Sequence, residues 1–333
     1  MEFRHLGRSG LIISEIAYGN WLTHGGQIAE EQATACVRAA LDAGITTFDT
    51  ADVYAGGRAE EVLGRALAGE RRDGLEVFTK TFWPMGPGHN DTGLSRKHVM
   101  SAIDASLRRL QMDYVDLFQA HRYDVSTPLE ETMQAFADVV RAGKAHYIGV
   151  SEWTADQIRD GKALADELGF QLVSSQPQYS ALWRVPEAEV IPTCEGLGIG
   201  QVVWSPLAGG VLTGKYRPGE QPPAGSRAGD ADLGKFVDRW MSDDVLSRVA
   251  QLAPLADEAG LSVAALSVAW VLQTQNVAAA IIGASRPEQV TDNAKAAGVT
   301  LEAGLKSRMD EILAPAAITA AAMTARMTPD PRP

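Results

Sequence analysis

Only two cysteines, Cys36 and Cys194, occur in 333 residues, too few for a disulfide framework. Both fall in apolar helical patterns, which predicts buried free thiols. Positive charge is also scarce: 30 Lys and Arg against 42 Asp and Glu give a net charge of −12. Such a chain is a poor partner for nucleic acid or an anionic membrane surface, and any phosphate ligand must meet basic groups gathered locally. No apolar run suits a membrane span. The longest, residues 261–284, is interrupted by Gln273, Gln275 and Asn276, and reads as a core helix over about 262–274 and a strand over about 278–282. The first thirty residues contain no signal-peptide core, so a cytoplasmic location is expected. The histidines, His5, His24, His89, His98, His121 and His146, show no paired ligand spacing, so no metal is expected.

What is present is a repeat of short apolar runs and amphipathic segments. Strands are expected at Ile16–Tyr18, Thr46–Phe48, Glu76–Thr79, Tyr114–Gln119, His146–Val150, Leu172–Ser174, Gly200–Trp204 and Ala279–Ile282. Helices are expected near 30–43, 59–68, 95–109, 129–142, 154–168, 186–197 and 286–296. Parallel strands need crossover connections, which helices supply. The pattern predicts an α/β fold, a closed (β/α)8 TIM barrel forming one domain over 1–315; an open doubly wound sheet is the alternative. Three parts fall outside the repeat. Residues 2–14 read as a hairpin with its turn at Ser9-Gly10, placed to cap the barrel bottom. Residues 207–240, after the seventh strand, form a long Gly/Pro-rich loop, longer than a plain connection needs. The tail, 316–333, is expected to fray.

In β/α barrels reactive groups sit where strands end. Asp49 and Tyr54 follow the second strand, Lys80 ends the third and His121 follows the fourth. Taken singly, each has a bland explanation: a turn former, a packing ring, a solvated charge, an ordinary histidine. Together they suit proton transfer to a carbonyl oxygen. A phenol is a weak acid at neutral pH, and a nearby ammonium lowers its pKa. Lys80 is placed to do this to Tyr54, Asp49 to hold Lys80, and His121 to orient the carbonyl or relay a proton.

These four residues, in this order, resemble the Asp, Tyr, Lys, His tetrad of the aldo-keto reductases. "FDTADVYAGGRAEEVLG", "GLSRKHV", "RLQMDYVDLFQAHR", "WSPLAGGVLTGKY" and "IIGASRPEQVTDN" extend the resemblance over roughly residues 3–315. "GGQI" and "GLSRKH" are similar to the branch that holds the voltage-gated potassium channel beta subunits and their bacterial relatives. Those subunits carry Asn at the fourth tetrad position, whereas this chain has His121, which favours catalysis. The resemblance implies NADP(H) as cofactor, a small carbonyl compound as substrate, Asp49, Tyr54, Lys80 and His121 as catalytic residues, and a homo-oligomer, a tetramer or larger. The alternative it leaves open is a nucleotide-sensing regulatory subunit.

The resemblance also assigns a cofactor site. Asn20, Trp21, Gln27 and Asp49 belong to it. Ser151 and Gln176 hold the nicotinamide carboxamide, and Trp204 stacks on the ring, although a core tryptophan is the alternative for Trp204. Ser205, Pro206, Leu207 and Gly209 wrap the pyrophosphate through backbone N–H groups. Lys215 and Arg227 reach the phosphates from the long loop, which then acts as a lid. Gly283, Ser285 and Arg286 open a helix whose N-terminus suits a 2′-phosphate, with Gln289, Asp292 and Asn293 facing the adenine. Trp21, Trp83, Tyr123 and Trp153 are expected near the substrate, which suggests apolar or aromatic carbonyls; a packing role is the equal alternative for each. Two glycine motifs are set aside. "GGVLTGKY" has Tyr216 where a nucleotide-triphosphate loop needs Ser or Thr, and "GLGIG" is followed by a strand, not a helix.

Overall fold

The computed structural model describes residues 1–230 and 233–332. An antiparallel hairpin, β1 (Phe3–His5) and β2 (Ile12–Ser14), precedes eight parallel strands: β3 (Ile16–Gly19), β4 (Thr47–Asp49), β5 (Glu76–Thr81), β6 (Val115–Ala120), β7 (Ala145–Ser151), β8 (Leu172–Gln176), β9 (Gly200–Val203) and β10 (Val277–Ile282). They pair in chain order, and β10 returns to β3 through Ala280↔Ile16 and Ile282↔Tyr18, which closes the barrel. Crossover helices include Glu30–Asp42, Arg58–Ala66, Arg96–Leu110, Leu129–Arg141, Ala155–Leu168 and Val263–Leu272. The (β/α)8 barrel expected from the sequence is the fold observed. Both cysteines are buried and free. Among the described residues no single helix is long and apolar enough to cross a membrane.

The strands are buried on both faces because their side chains alternate between the barrel interior and the helical layer. Ala17, Phe78, Leu117, Val173, Val202 and Ala279 form the inner cluster, while Val77, Phe118, Ile148 and Val203 pack outward against helices. The hairpin plugs the bottom with Leu6 and Ile13, both in the inner cluster.

The hairpin turn differs from expectation. Leu6 N–H bonds Leu11 O at 2.8 Å, and the left-handed residue inside the loop is Gly7, with φ 60°, not Ser9 or Gly10. Arg8 N–H then bonds Gly198 O at 2.9 Å. "GLGIG" is therefore a docking surface: a Cβ on Gly200 would lie 2.4 Å from the backbone N of Gly7.

Two further differences concern segments without strong periodicity. Short 3₁₀ turns at Ala208–Thr213, Arg227–Gly229, Gly234–Phe236 and Asp238–Trp240 break up the long loop, and helices Asp243–Ala250, Ala253–Ala259 and Ala303–Leu313 were not anticipated. The tail does not fray. Ile318 bonds backbone groups of Leu182 and Arg184 at 2.9 and 2.8 Å. Arg332 donates to Thr92 O, Asp124 Oδ2 and Thr127 Oγ1, each at 2.8 Å. Extended chain has no internal bonds to satisfy it, and here the barrel surface supplies partners.

Gly7→Ala adds a Cβ that would lie 2.3 Å from Gly198 O, in a left-handed residue. The expected loss is about 2–4 kcal/mol of unfolding free energy, read by urea titration; an unchanged midpoint would show that the hairpin does not depend on this contact.

Candidate active site

Strand register decides which side chains reach the upper end of the barrel. Phe78 points inward, so Lys80, two residues later on β5, does too. The same period carries Asp49 inward from Thr47 and brings Gln119 and His121 in line above Leu117. Tyr54 arrives differently. After β4 the chain makes a 3₁₀ turn, Tyr54–Gly57, in which Ala55, Gly56 and Gly57 have φ of 50°, 65° and 95°. These left-handed residues bend the chain tightly enough to fold the phenol back over the strand ends.

Lys80 Nζ donates to Asp49 Oδ1 at 2.5 Å, to Thr50 O at 2.7 Å and to Tyr54 Oη at 3.3 Å. Asp49 Oδ2 accepts from Gln176 Nε2 at 2.8 Å. Burial by itself favours the neutral amine of Lys80, but Asp49 and Tyr54 reverse this and hold its pKa above the ordinary lysine value. The outcome for Tyr54 departs from expectation. Burial raises its pKa above the ordinary phenol value; Lys80 pulls it down, but burial and the charge of Asp49 prevail. Tyr54 therefore keeps its proton at neutral pH. The ring of His121 meets that of Tyr54 edge-on, with centroids 5.7 Å apart. Burial, then the charges of Arg122 and Lys80, push His121 well below its ordinary pKa, and it is a neutral imidazole whose Nδ1 has no partner among the described residues.

An aromatic wall faces these groups. Trp21 is 38% exposed and packs edge-on to Trp204 at 6.2 Å and to Phe236 at 5.0 Å. Trp204 Nε1 donates to Glu152 Oε1 at 2.8 Å, which also accepts Gln178 N–H at 2.6 Å. Glu152 thus fixes the orientation of Trp204, a role that its position after β7 did not reveal. Trp204 is half-buried, so it is not simply a core tryptophan. Trp83 lies edge-on to His121 at 6.3 Å. Trp153 is 1% exposed and packs edge-on against Tyr123 at 4.9 Å, so it is a packing residue.

Other residues expected at the site have separate placements. Asn20 donates through Nδ2 to Ala59 O at 3.1 Å, and its Oδ1 is buried without a partner. Gln27 is exposed on the turn Thr23–Gln27. Ser151 Oγ donates to Gln176 O at 2.9 Å. Ser205, with φ 56°, accepts Gly209 N–H at 3.1 Å, and Gly209 and Gly210 have φ of 70° and 102°. A Cβ on Gly209 would lie 3.4 Å from Arg227 Nη1, and one on Gly210 would lie 3.0 Å from Lys215 Nζ, so both cations border this loop. Arg286 is exposed and caps helix Pro287–Ala294, where Gln289 Oε1 accepts Ser285 N–H at 2.9 Å. Asp292 accepts from Ser262 Oγ at 2.5 Å, and Asn293 is buried on the same helix.

Comparison with known proteins agrees with this geometry. The Aldo/keto reductase family matches residues 15–314. The chain belongs to this family. It is similar to proteins named probable voltage-gated potassium channel subunit beta from Arabidopsis thaliana and Oryza sativa subsp. japonica, each 44% identical over 303 residues, covering 90% of this chain and 92% of the relative. A putative voltage-gated potassium channel subunit beta from Schizosaccharomyces pombe is 40% identical over 323 residues, covering 94% and 93%. Membership of the aldo/keto reductases supports an oxidoreductase role with a nicotinamide cofactor, general properties of the family.

Behind the tetrad, this aldo/keto reductase buries a second acidic group that motif reading passed over. Glu60 accepts from Thr79 Oγ1 at 2.5 Å and from Arg109 Nε at 2.6 Å. Asp52 is fully buried, and neither of its oxygens has a well-formed hydrogen bond among the described residues. Burial first, then the charge of Glu60, raise its pKa to about 7, against the pull of Thr81 and Arg109. In the unfolded chain Asp52 ionises near its ordinary value of 3.8. Between those two pH values the folded state holds a proton that the unfolded state has lost, so its contribution to stability falls as pH rises. Asp52→Asn removes this dependence. Its unfolding free energy relative to the parent should rise by about 3–4 kcal/mol between pH 4 and pH 8, measured by urea titration at each pH; a difference that is flat with pH would mean Asp52 is ionised in the fold.

Proposed function

We propose that this aldo/keto reductase reduces an aldehyde or ketone to an alcohol with NADPH, and that Tyr54 donates the proton. The observation that carries the reading is the 3.3 Å approach of Lys80 Nζ to a Tyr54 hydroxyl that burial keeps protonated. NADPH, when bound, supplies the hydride that forms the new C–H bond and is itself oxidised. As the C=O π bond breaks, its electrons go to the carbonyl oxygen, which takes the Tyr54 proton, and the electrons of the Tyr54 O–H bond stay on the phenolate. Lys80 stabilises the phenolate by charge and hydrogen bond, and Asp49 keeps Lys80 charged and aimed. Neutral His121 orients the carbonyl oxygen without competing for the proton. Solvent then reprotonates Tyr54.

The residues present fit a phosphorylated dinucleotide. Arg227 is half-buried with no carboxylate partner among the described residues, a costly arrangement unless an anion joins it. Trp204, fixed by Glu152, offers a platform for the nicotinamide. Ser205–Gly209 and Lys215 would hold the pyrophosphate, Ser151 and Gln176 the carboxamide, and Ser285 and Arg286 the 2′-phosphate that distinguishes NADP from NAD.

Tyr54→Phe is expected to lower kcat by roughly 100- to 10,000-fold while NADPH affinity, read by fluorescence titration, stays within about threefold. Retained turnover would dismiss Tyr54 as the donor. If the parent protein binds NADPH yet oxidises it with no simple carbonyl, a nucleotide-sensing regulatory subunit becomes the better reading, in line with the channel beta subunit named in its relatives. Arg286→Ala should weaken NADP binding by about tenfold or more and leave NAD binding nearly unchanged; equal losses would refute the 2′-phosphate assignment.

A further inference from the structure

Most buried or half-buried Lys and Arg side chains here are paired with a carboxylate. Among the described residues, Arg122 and Arg227 are the half-buried cations that form no ion pair with Asp or Glu. Arg227 lies beside the glycine loop assigned to the pyrophosphate. Arg122 lies elsewhere, one residue past His121, and its guanidinium stacks over Trp83 at 5.6 Å. Trp83 in turn contacts His121, and His121 contacts Tyr54. The one hydrogen bond of the Arg122 side chain goes to the His121 carbonyl. Its other N–H groups have no acceptor among the described residues.

The nearby acid, Glu152, attracts Arg122 without forming an ion pair with it. Glu152 Oε1 is already committed to Trp204 Nε1 and Gln178 N–H. Burial raises the pKa of Glu152 and lowers that of Arg122, and their mutual attraction offsets this only in part, so both charges are poorly solvated where they stand. A planar guanidinium with free forked donors, placed over an indole near the proton donor, is suited to bind a carboxylate in bidentate fashion.

We infer that Arg122 is the anion receptor of the substrate pocket, and that the preferred substrates are aldehydes or ketones carrying a carboxylate on an apolar or aromatic body. This rests on the reductase reading above and names its substrate class. Trp83 and Trp21 contact the body of the substrate, Tyr54 and His121 meet the carbonyl, and Arg122 takes the distal acid. The reaction itself is unchanged: hydride to carbon, proton to oxygen, carboxylate untouched.

The test compares 4-carboxybenzaldehyde with methyl 4-formylbenzoate, which differ in charge but share the reacting group. The parent enzyme should show a kcat/KM for the acid at least about tenfold above that for the ester. Arg122→Gln should lower the acid-to-ester ratio at least tenfold, and Arg122→Lys should restore part of it, because the charge returns without the fork. A parent with no preference, or an Arg122→Gln ratio equal to the parent's, overturns the proposal; the second result is what an effect of Arg122 through Tyr54 or His121 would give. Binding separates this inference from the reductase reading. Benzoate, titrated against tryptophan fluorescence with NADP+ present, should bind the parent at least tenfold more tightly than Arg122→Gln. If neither aldehyde turns over but benzoate shows that difference, the anion site stands and the reductase reading fails. If benzoate binds both proteins alike, the anion site is overturned.

Discussion

A lysine and an aspartate, both cut off from water at the upper end of a barrel, set what surrounds them. Removing either charge from water costs several kcal/mol, and the pair is tolerable only when its remaining donors and acceptors are filled. The protein fills them in order. One Asp49 oxygen takes Lys80 and the other takes the Gln176 amide. Lys80 adds the Thr50 carbonyl and turns its remaining reach to Tyr54. The phenol is thus the last partner of an ion pair that has nowhere else to go. For the reaction proposed above, this arrangement lets Tyr54 be buried, protonated and still able to release a proton. Its ground state is neutral because burial dominates, but the conjugate base is born beside an ammonium that is already desolvated and aimed.

The neighbouring titratable groups follow the same logic of separation. His121 is pushed towards its neutral form and Lys80 towards its charged form by one low-dielectric environment. The difference is that Lys80 has a carboxylate, whereas the charges acting on His121 are those of Arg122 and Lys80. Two basic side chains within one site are thereby sorted into a charge holder and a neutral hydrogen-bonding group. The single substitution at this position between histidine and an uncharged amide would keep the hydrogen bonding and change the shape, which is why the residue type at 121 speaks to catalysis more than its charge does.

Much of this was legible before any coordinates. Eight apolar runs spaced by amphipathic helices leave few alternatives to a parallel barrel, and strand ends are where the chain must present Asp49, Lys80 and His121. What was not legible has physical reasons. The net pKa of Tyr54 depends on a balance between burial and one ammonium, and sequence gives the ammonium but not the burial. Glu152 sits at a strand end with no motif, and its task, holding the indole of Trp204, is visible only once β7 and β9 are brought to one rim. Asp52 and Glu60 lie in the quoted "FDTADVYAGGRAEEVLG" motif, yet nothing in that string says that Arg109, nearly fifty residues on, meets Glu60. The tail was misread because prolines and the lack of apolar periodicity suggest fraying, while the pocket for Arg332 is built from Thr92, Asp124 and Thr127, all distant in sequence.

The strong acidic excess of the chain sharpens the reading of its cations. With a net charge of −12, a basic side chain that is half withdrawn from solvent has many carboxylates to choose from, and nearly all such side chains in the described residues have found one. A guanidinium left without one is then an exception that burial makes expensive. On the cofactor reading proposed above, a phosphate accounts for the exception at Arg227, beside the left-handed backbone of Gly209 and Gly210. At Arg122 no such backbone exists. Its surroundings are an indole face, a neutral imidazole, a protonated phenol and Glu152, which attracts it without forming an ion pair. On the inference drawn above, those groups wall a pocket for an organic molecule, and the missing counter-charge belongs to the substrate that enters it.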